Sequence, residues 1–315
     1  MTMKIGVDKA AELIRSANAI LLIGHTDPDG DCLGSLYALK AGLVSIGKSA
    51  SVYLKKPLPL KYRFLSDELE KNTDIPECDL IVVLDTPQLK RLDIDDPAKL
   101  TSPILAIDHH PGVHTEFPYA LWDDGKSACA MLIKALLQKM AITITPKMAG
   151  ALYAGIVTDT NSFVNQNTYA DTFQAAGELT ELGAKPDEIA KYVYGSLTPG
   201  DISALSYALS TLELYDKDRI AVMSLKREWQ NEGNDTDTEL FVNYARSLVN
   251  TEVAIMLTET EEGVRVNLRA KNAYDVSAVA RKLGGGGHKA AAGIRMNCPL
   301  EEAKKLLLEN IKFDD

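Results

Sequence analysis

Three short stretches of this chain are apolar at nearly every position. AILLIG spans 19–24, LIVVL lies within CDLIVVLDT (78–86), and ILAI lies within SPILAIDHH (102–110). A strand with one wet face alternates apolar and polar residues; a strand without that alternation is buried on both sides. Buried strands that alternate with segments of helical spacing belong to a parallel sheet covered by helices. The segments DCLGSLYALKAGLVSIG (31–47), SACAMLIKALLQKM (127–140) and PKMAGALYAGIVTDT (146–160) have that spacing. ASVYLK (50–55) reads as a further strand, and the residues before Ala19 as an amphipathic helix leading into the first one. The expectation is an α/β fold with a doubly wound, mostly parallel sheet.

The 315 residues exceed one small core and suit two domains. YADTFQAAGELTELGAK (169–185) is another helix. The stretch that follows holds Pro186, Pro199 and two glycines around one short helix, and reads as a linker. The expected boundaries are 1–183 for the first domain, 184–201 for the linker and 202–315 for the second. In the second, DRIAVMSL (218–225), EVAIMLTE (252–259) and GVRVNLRA (263–270) read as strands, the last two joined by a hairpin turn. TELFVNYARSLVN, VSAVARKLG and PLEEAKKLLLENI read as helices. This is a smaller α/β unit.

The four cysteines, Cys32, Cys78, Cys129 and Cys298, form no CxxC pair. That argues against structural zinc and a disulfide framework, and makes the cytoplasm the expected location. No apolar run approaches the length of a membrane span, and the N-terminus has no leader pattern. The formal net charge is −10. Proteins that grip long nucleic acid carry basic surfaces; an anionic substrate here must be attracted locally.

Acids and histidines gather where the apolar runs end. GHTDPDGDCLGS (24–35) carries His25, Asp27, Asp29 and Asp31; VVLDTP carries Asp85; AIDHH carries Asp108, His109 and His110; GIVTDT carries Asp159. Asp27 reads as a turn residue and His114 as a loop histidine. In an open parallel sheet, ligands bind outside the carboxyl ends of the strands. Clustered carboxylates repel unless a cation compensates them. Oxygen and imidazole donors without thiolate suit Mn, Mg or Fe. Five or more such ligands exceed the needs of one ion, whereas two ions sharing a carboxylate account for them.

These motifs resemble those of the DHH family of phosphoesterases. HTDPDGDCLGS, VVLDTP, DHH and GIVTDTNSF correspond to its four motifs. The resemblance implies two Mn2+ ions, with Mg2+ or Co2+ as alternatives. One ion would take His25, Asp29 and Asp85; the other Asp31, Asp85, His109 and Asp159. Asp108 would orient a histidine, and His110 would contact the phosphate or protonate the leaving oxygen. Asn161 stands where the family usually has Gly, and Asn tolerates the same backbone conformation. Val113-His114 stands where the family often has Asn.

GGGGHKAAAG (284–293) reads as a loop whose backbone could approach an anion, with Ala290–Ala292 opening a helix. It resembles the glycine motif of the DHHA1 domain. That resemblance implies a substrate-binding second domain and an active-site cleft between the domains. Arg269, Gly285, Gly286, Gly287 and His288 would hold the substrate; Lys289 reads as solvated.

Two-domain chains of this kind resemble the nanoRNase and pAp phosphatase group. The implied activity is hydrolysis of short oligoribonucleotides to 5′-mononucleotides, and removal of the 3′-phosphate of adenosine 3′,5′-bisphosphate. The alternatives are a cyclic di-AMP or pApA phosphodiesterase, a RecJ-like single-strand exonuclease, and a non-enzymatic nucleotide-binding regulator. Expected partners are short oligoribonucleotides or a nucleotide bisphosphate, with no long duplex nucleic acid and no membrane, and a second copy of the chain in a homodimer.

Overall fold

A computed structural model describes residues 2–111, 116–230, 238 and 240–313. His114 and Val113 lie outside the described residues, as does part of the expected helix TELFVNYARSLVN. The chain divides into two units, Met1–Ser196 and Leu197–Asp315. The division falls inside the stretch 184–201 that reads as a linker.

The first unit begins with β1 (Met3–Ile5) and α1 (Val7–Ser16). These lead into β2 (Ala19–Ile23), α2 (Gly30–Ser45), β3 (Ser49–Tyr53), β4 (Leu80–Leu84), β5 (Ile104–Asp108) and β6 (Tyr119–Trp122). The strands form one sheet in the order β1-β6-β5-β4-β2-β3, and every pairing is parallel. The expected strands at 19–24, 78–86 and 102–110 sit at its centre. They are buried on both faces, as their lack of alternation requires.

The two faces are covered differently. One packs Ile20, Leu22, Val82, Leu84, Leu105 and Ile107 against the helices. These are α1, α2, α3 (Cys129–Lys139), α4 (Pro146–Asp159), α5 (Ala170–Glu181) and α6 (Pro186–Tyr194). The other packs Leu21, Ile23, Ile81, Val83 and Ala106 against Leu92, Ile94 and Phe117. The crossovers between β3 and β4 and between β4 and β5 contain only short 3-10 turns among their described residues. Their prolines, at 57, 59, 76, 87, 97 and 103, interrupt helical runs there.

The chain leaves β2 toward β3 on one side and leaves β4 toward β5 on the other. The adjacent strands β2 and β4 therefore flank the point where the winding direction reverses, and the crevice beyond their carboxyl ends is where such sheets bind ligands. α2 and α4 pack closely because both present small residues. A Cβ on Gly34 would meet the Ala151 carbonyl at 2.2 Å, and one on Gly30 would meet Thr158 Oγ1 at 2.4 Å. This contact fixes the start of α2 against the end of α4.

The second unit holds α7 (Pro199–Ser210), β7 (Glu213–Tyr215), β8 (Ile220–Leu225), α8 (Val242–Arg246), β9 (Val253–Thr260) and β10 (Gly263–Ala270). It continues with α9 (Val276–Lys282), β11 (Gly286–His288), β12 (Ala291–Met296) and α10 (Leu300–Asn310). Its sheet runs β11-β12-β10-β9-β8-β7, antiparallel except for β8 beside β9. Helices α9 and α10 share a core with one face, and α7 and α8 with the other.

The glycine run corrects one expectation. Ala291 and Ala292 do not open a helix; they begin β12, and Gly286–His288 pair with it as β11. Glycine is needed because the two backbones lie in contact. A Cβ on Gly285 would stand 2.2 Å from the Gly293 carbonyl, and Gly287 has φ +135° with the Ala291 carbonyl 2.5 Å from its Cβ position. Among the described residues no helix is long and apolar enough to cross a membrane.

Candidate metal centre

Each parallel strand at the reversal point delivers a ligand-type side chain at its carboxyl end. His25 follows β2 directly, and its segment pairs with Leu92. Asp29 caps α2, accepting the Asp31 and Cys32 N–H groups at 3.0 and 3.1 Å. Asp31 then points inward from the first turn of α2. Its carboxylate accepts the N–H groups of Cys129 and Ala130, at 2.5 and 2.8 Å, from the start of α3. That helix N-terminus favours negative charge.

Asp85 follows β4 in the left-handed region, at φ 59°, with its N–H donating to the Ile107 carbonyl at 3.0 Å. Such a conformation is uncommon outside glycine and collects at functional sites. The residue is 2% exposed, and Oδ1 accepts no hydrogen bond.

Two of the three histidines beside Asp85, His25 and His109, are held alike. His25 Nδ1 lies 3.0 Å from the Thr26 carbonyl, and His109 Nδ1 lies 3.0 Å from the Lys126 carbonyl. A carbonyl only accepts, so each Nδ1 carries its hydrogen and each Nε2 faces the carboxylates. His25 Nε2 is 3.5 Å from Asp85 and 3.9 Å from Asp29. His109 Nε2 is 3.6 Å from Asp31, 3.5 Å from Asp85 and 3.7 Å from Asp159.

These separations exceed hydrogen-bond length. Ligand atoms about 2.1 Å from one cation and roughly 90–110° apart stand ~3.0–3.4 Å from each other. Inward shifts of a few tenths of an ångström would complete such a shell. His110 is placed differently: Asp108 Oδ1 grips its Nδ1 at 2.7 Å, and Trp122 donates to its carbonyl at 2.8 Å.

The protonation pattern follows from crowding. Burial opposes charge on His25, yet Asp85 and Asp29 beside it lift its pKa to about 9. His109 is likewise raised against burial, by Asp85, Asp159 and Asp31. Burial would raise Asp85, but His109 and His25 hold it well below the usual carboxylate range. Burial and the charge of Asp85 push Asp31 well up. Burial, with Asp29 and Asp85, brings Asp159 to about 7. Protons stand here where cations would stand, and the O,N donor set with an orphaned Asp85 oxygen fits divalent metal.

His25, Asp29, Asp31, Asp85, Asp108, His109, His110 and Asp159 are thus brought together. Asp27 is a turn residue at φ 55°, paired with Lys56 at 3.0 Å. Asn161 has φ 48°, the conformation expected of it in place of Gly. Asn167 escaped the sequence reading; its amide donates to Asp159 Oδ2 at 3.1 Å.

In the second unit, the register sets Arg269 and His288 on either side of Ala291 across three strands. Directly opposed residues share a face, so both side chains leave the same side of the sheet, about 10 Å apart at the backbone. Arg269 Nη1 donates to the Leu268 carbonyl at 3.1 Å. Lys289 is exposed. Asn267 lies on the same face, 6% exposed, and was not singled out by sequence.

Comparison with protein families matches residues 19–156 to the DHH family, N-terminal domain, and residues 217–312 to the DHHA1 domain. The first unit therefore carries a DHH-family N-terminal domain and the second a DHHA1 domain. The DHH match ends just before Asp159, and every ligand-type residue above except Asp159 falls inside it. The bifunctional oligoribonuclease and PAP phosphatase NrnA of Thermus thermophilus is 29% identical over 308 residues, covering 96% of this chain and 92% of that protein. The protein of the same name from Bacillus subtilis is 27% identical over 310 residues, covering 95% and 96%. Among solved structures, an exopolyphosphatase-related protein from Bacteroides fragilis superposes with a TM-score of 0.83 at 26% identity, covering 96% of this chain and 94% of that one.

Proposed function

We propose that this chain is a metal-dependent phosphoesterase. It hydrolyses short oligoribonucleotides to 5′-mononucleotides and removes the 3′-phosphate of adenosine 3′,5′-bisphosphate. The observation that carries this reading is the convergence of His25, Asp29, Asp31, His109 and Asp159 around the buried, orphaned Asp85 carboxylate. The names borne by the full-length relatives supply the substrate class.

His25, Asp29 and Asp85 would hold one divalent ion; Asp31, Asp85, His109 and Asp159 would hold the other, with Asp85 shared. Mn2+ is the first choice, Mg2+ and Co2+ the alternatives. Bound ions supply a nucleophilic hydroxide at neutral pH and offset the charge that develops on phosphorus oxygens. Asp108 accepts the Nδ1 hydrogen of His110 and leaves Nε2 as the atom that would hold a proton for the leaving oxygen. Arg269, a planar fork of donors, would bind the phosphate or base of the substrate, with His288 and the backbone of Gly285–Gly287 beside it. The same reading includes a homodimer and a cytoplasmic setting, the latter in keeping with four free cysteines.

The test is product analysis with Mn2+ on pAp, pApA, cyclic di-AMP and a 5′-labelled DNA of about thirty nucleotides, a length at which phosphate contacts would dominate binding. Release of AMP from pAp and pApA, with the DNA nearly untouched, supports the reading. Preference for cyclic di-AMP, processive loss of the DNA label, or no turnover of any substrate would each overturn it.

A further inference from the structure

Asp159 ends α4 rather than a strand. Its carboxylate is instead secured from the segment that follows. Asn167 Nδ2 donates to Asp159 Oδ2 at 3.1 Å, and it also faces the Ser127 carbonyl at 3.1 Å and the Asp159 carbonyl at 3.4 Å. All three neighbours can only accept while Asp159 is ionised, so the amide nitrogen must be the atom turned toward them.

The other end of this bracket is fixed as well. The Ser127 hydroxyl donates to the Asn167 carbonyl and meets the Thr172 hydroxyl at the start of α5. Lys126 pairs with Asp171 at 2.7 Å. The adjacent carbonyl, that of Lys126, receives His109 Nδ1 at 3.0 Å. Two successive carbonyls, Lys126 and Ser127, therefore set the orientation of His109 directly and of Asp159 through Asn167. Those two ligands stand 3.7 Å apart. His25 and Asp29 are held from elsewhere as well: the Thr26 carbonyl accepts from His25, and Asp29 caps α2.

We infer that Asn167 is a positioning residue for one of the two metal sites, the one built from Asp31, Asp85, His109 and Asp159. The inference rests on the two-ion reading above. Residues that orient metal ligands typically change affinity by about 10–100-fold when removed. Because Asn167 reaches only Asp159 among the proposed ligands, its loss acts on one binding step and leaves the other in place.

The experiment is calorimetric titration of the metal-free protein with Mn2+, comparing wild type with Asn167→Ala and Asn167→Asp. The aspartate keeps the shape and loses the donor. Circular dichroism checks that each variant is folded. The wild type is expected to show two binding steps. Both variants should weaken one step by about tenfold or more and leave the other within about twofold. Equal weakening of both steps in the folded variants, or two unchanged steps, would overturn the assignment of Asn167 while leaving the two-ion reading intact. A wild type that binds no Mn2+, or a single ion, would overturn that reading itself.

Discussion

Gly155 offers a sharp test of how the helix pair supports the site. It lies on α4 where that helix crosses α2. A Cβ at this position would stand 2.8 Å from Asp31 Oδ1, 2.9 Å from Ala130 Cβ and 3.2 Å from Asp31 Cα. None of these atoms can easily retreat. Asp31 and Ala130 are fully buried, and the Asp31 carboxylate is tied to two N–H groups of α3. Inserting a methyl group into such packing costs ~1–3 kcal/mol. Alanine in a helix interior recovers up to ~1 kcal/mol relative to glycine. With the full helix gain the net loss for Gly155→Ala is ~0–2 kcal/mol, a fall of up to about 8 °C in the melting temperature of the first unit.

Gly177→Ala on α5 is the control. No atom lies within 4 Å of its Cβ position, so only the helix term acts, and stability rises by up to ~1 kcal/mol. Urea unfolding of both metal-free variants, followed by circular dichroism, compares them. Mn2+ affinity should fall in Gly155→Ala, because the added methyl displaces the Asp31 carboxylate. A Gly155→Ala protein as stable as Gly177→Ala, with unchanged Mn2+ affinity, would refute the idea that close contact of α2 and α4 sets the ligand geometry.

Three further outcomes follow from the same geometry. Asp85→Ala removes the shared carboxylate; turnover of pAp with Mn2+ should drop by more than about a hundredfold, while circular dichroism stays that of the wild type. In the metal-free protein His25, with its pKa raised from 6.5 to about 9, is charged at neutral pH. That protonated form contributes stability below pH 6.5 that is lost as pH rises through about 9. Metal must displace the proton, so Mn2+ affinity should rise with pH across this window, and titrations in buffers of different ionisation enthalpy should report proton release on binding. Finally, Asn161 sits at φ 48°. Asn161→Gly should leave stability within about 0.5 kcal/mol, whereas the β-branched Asn161→Val should cost ~1–2 kcal/mol in urea unfolding.

Much of the site could be read without coordinates because its residues follow the strands in sequence. An apolar run of five or six residues marks a buried parallel strand, and a His or Asp straight after it must emerge at the carboxyl rim. His25, Asp85 and His109 were legible on that ground. Asp159 was legible only as the end of a helix.

What was not legible has identifiable causes. β1, at the sheet's edge, and β6 beside it are three and four residues long, too short to show a period. Pro186 and Pro199 read as breakers, yet each stands in the first turn of a helix, where a missing N–H costs nothing. The glycine run reads locally as a loop, and only its contact with β12 explains the glycines. Asn167, in the polar stretch NQNT, carries ordinary turn chemistry until the fold sets it against Asp159.

The measurement that bears most directly on the central claim is anomalous diffraction from crystals grown with Mn2+. Two peaks are expected, roughly 3.5–4 Å apart, as in a two-ion site that clamps a phosphoryl group. Asp85 should lie between them, with His25 and Asp29 beside one and Asp31, His109 and Asp159 beside the other. A single peak, or two peaks that do not share Asp85, would contradict the account.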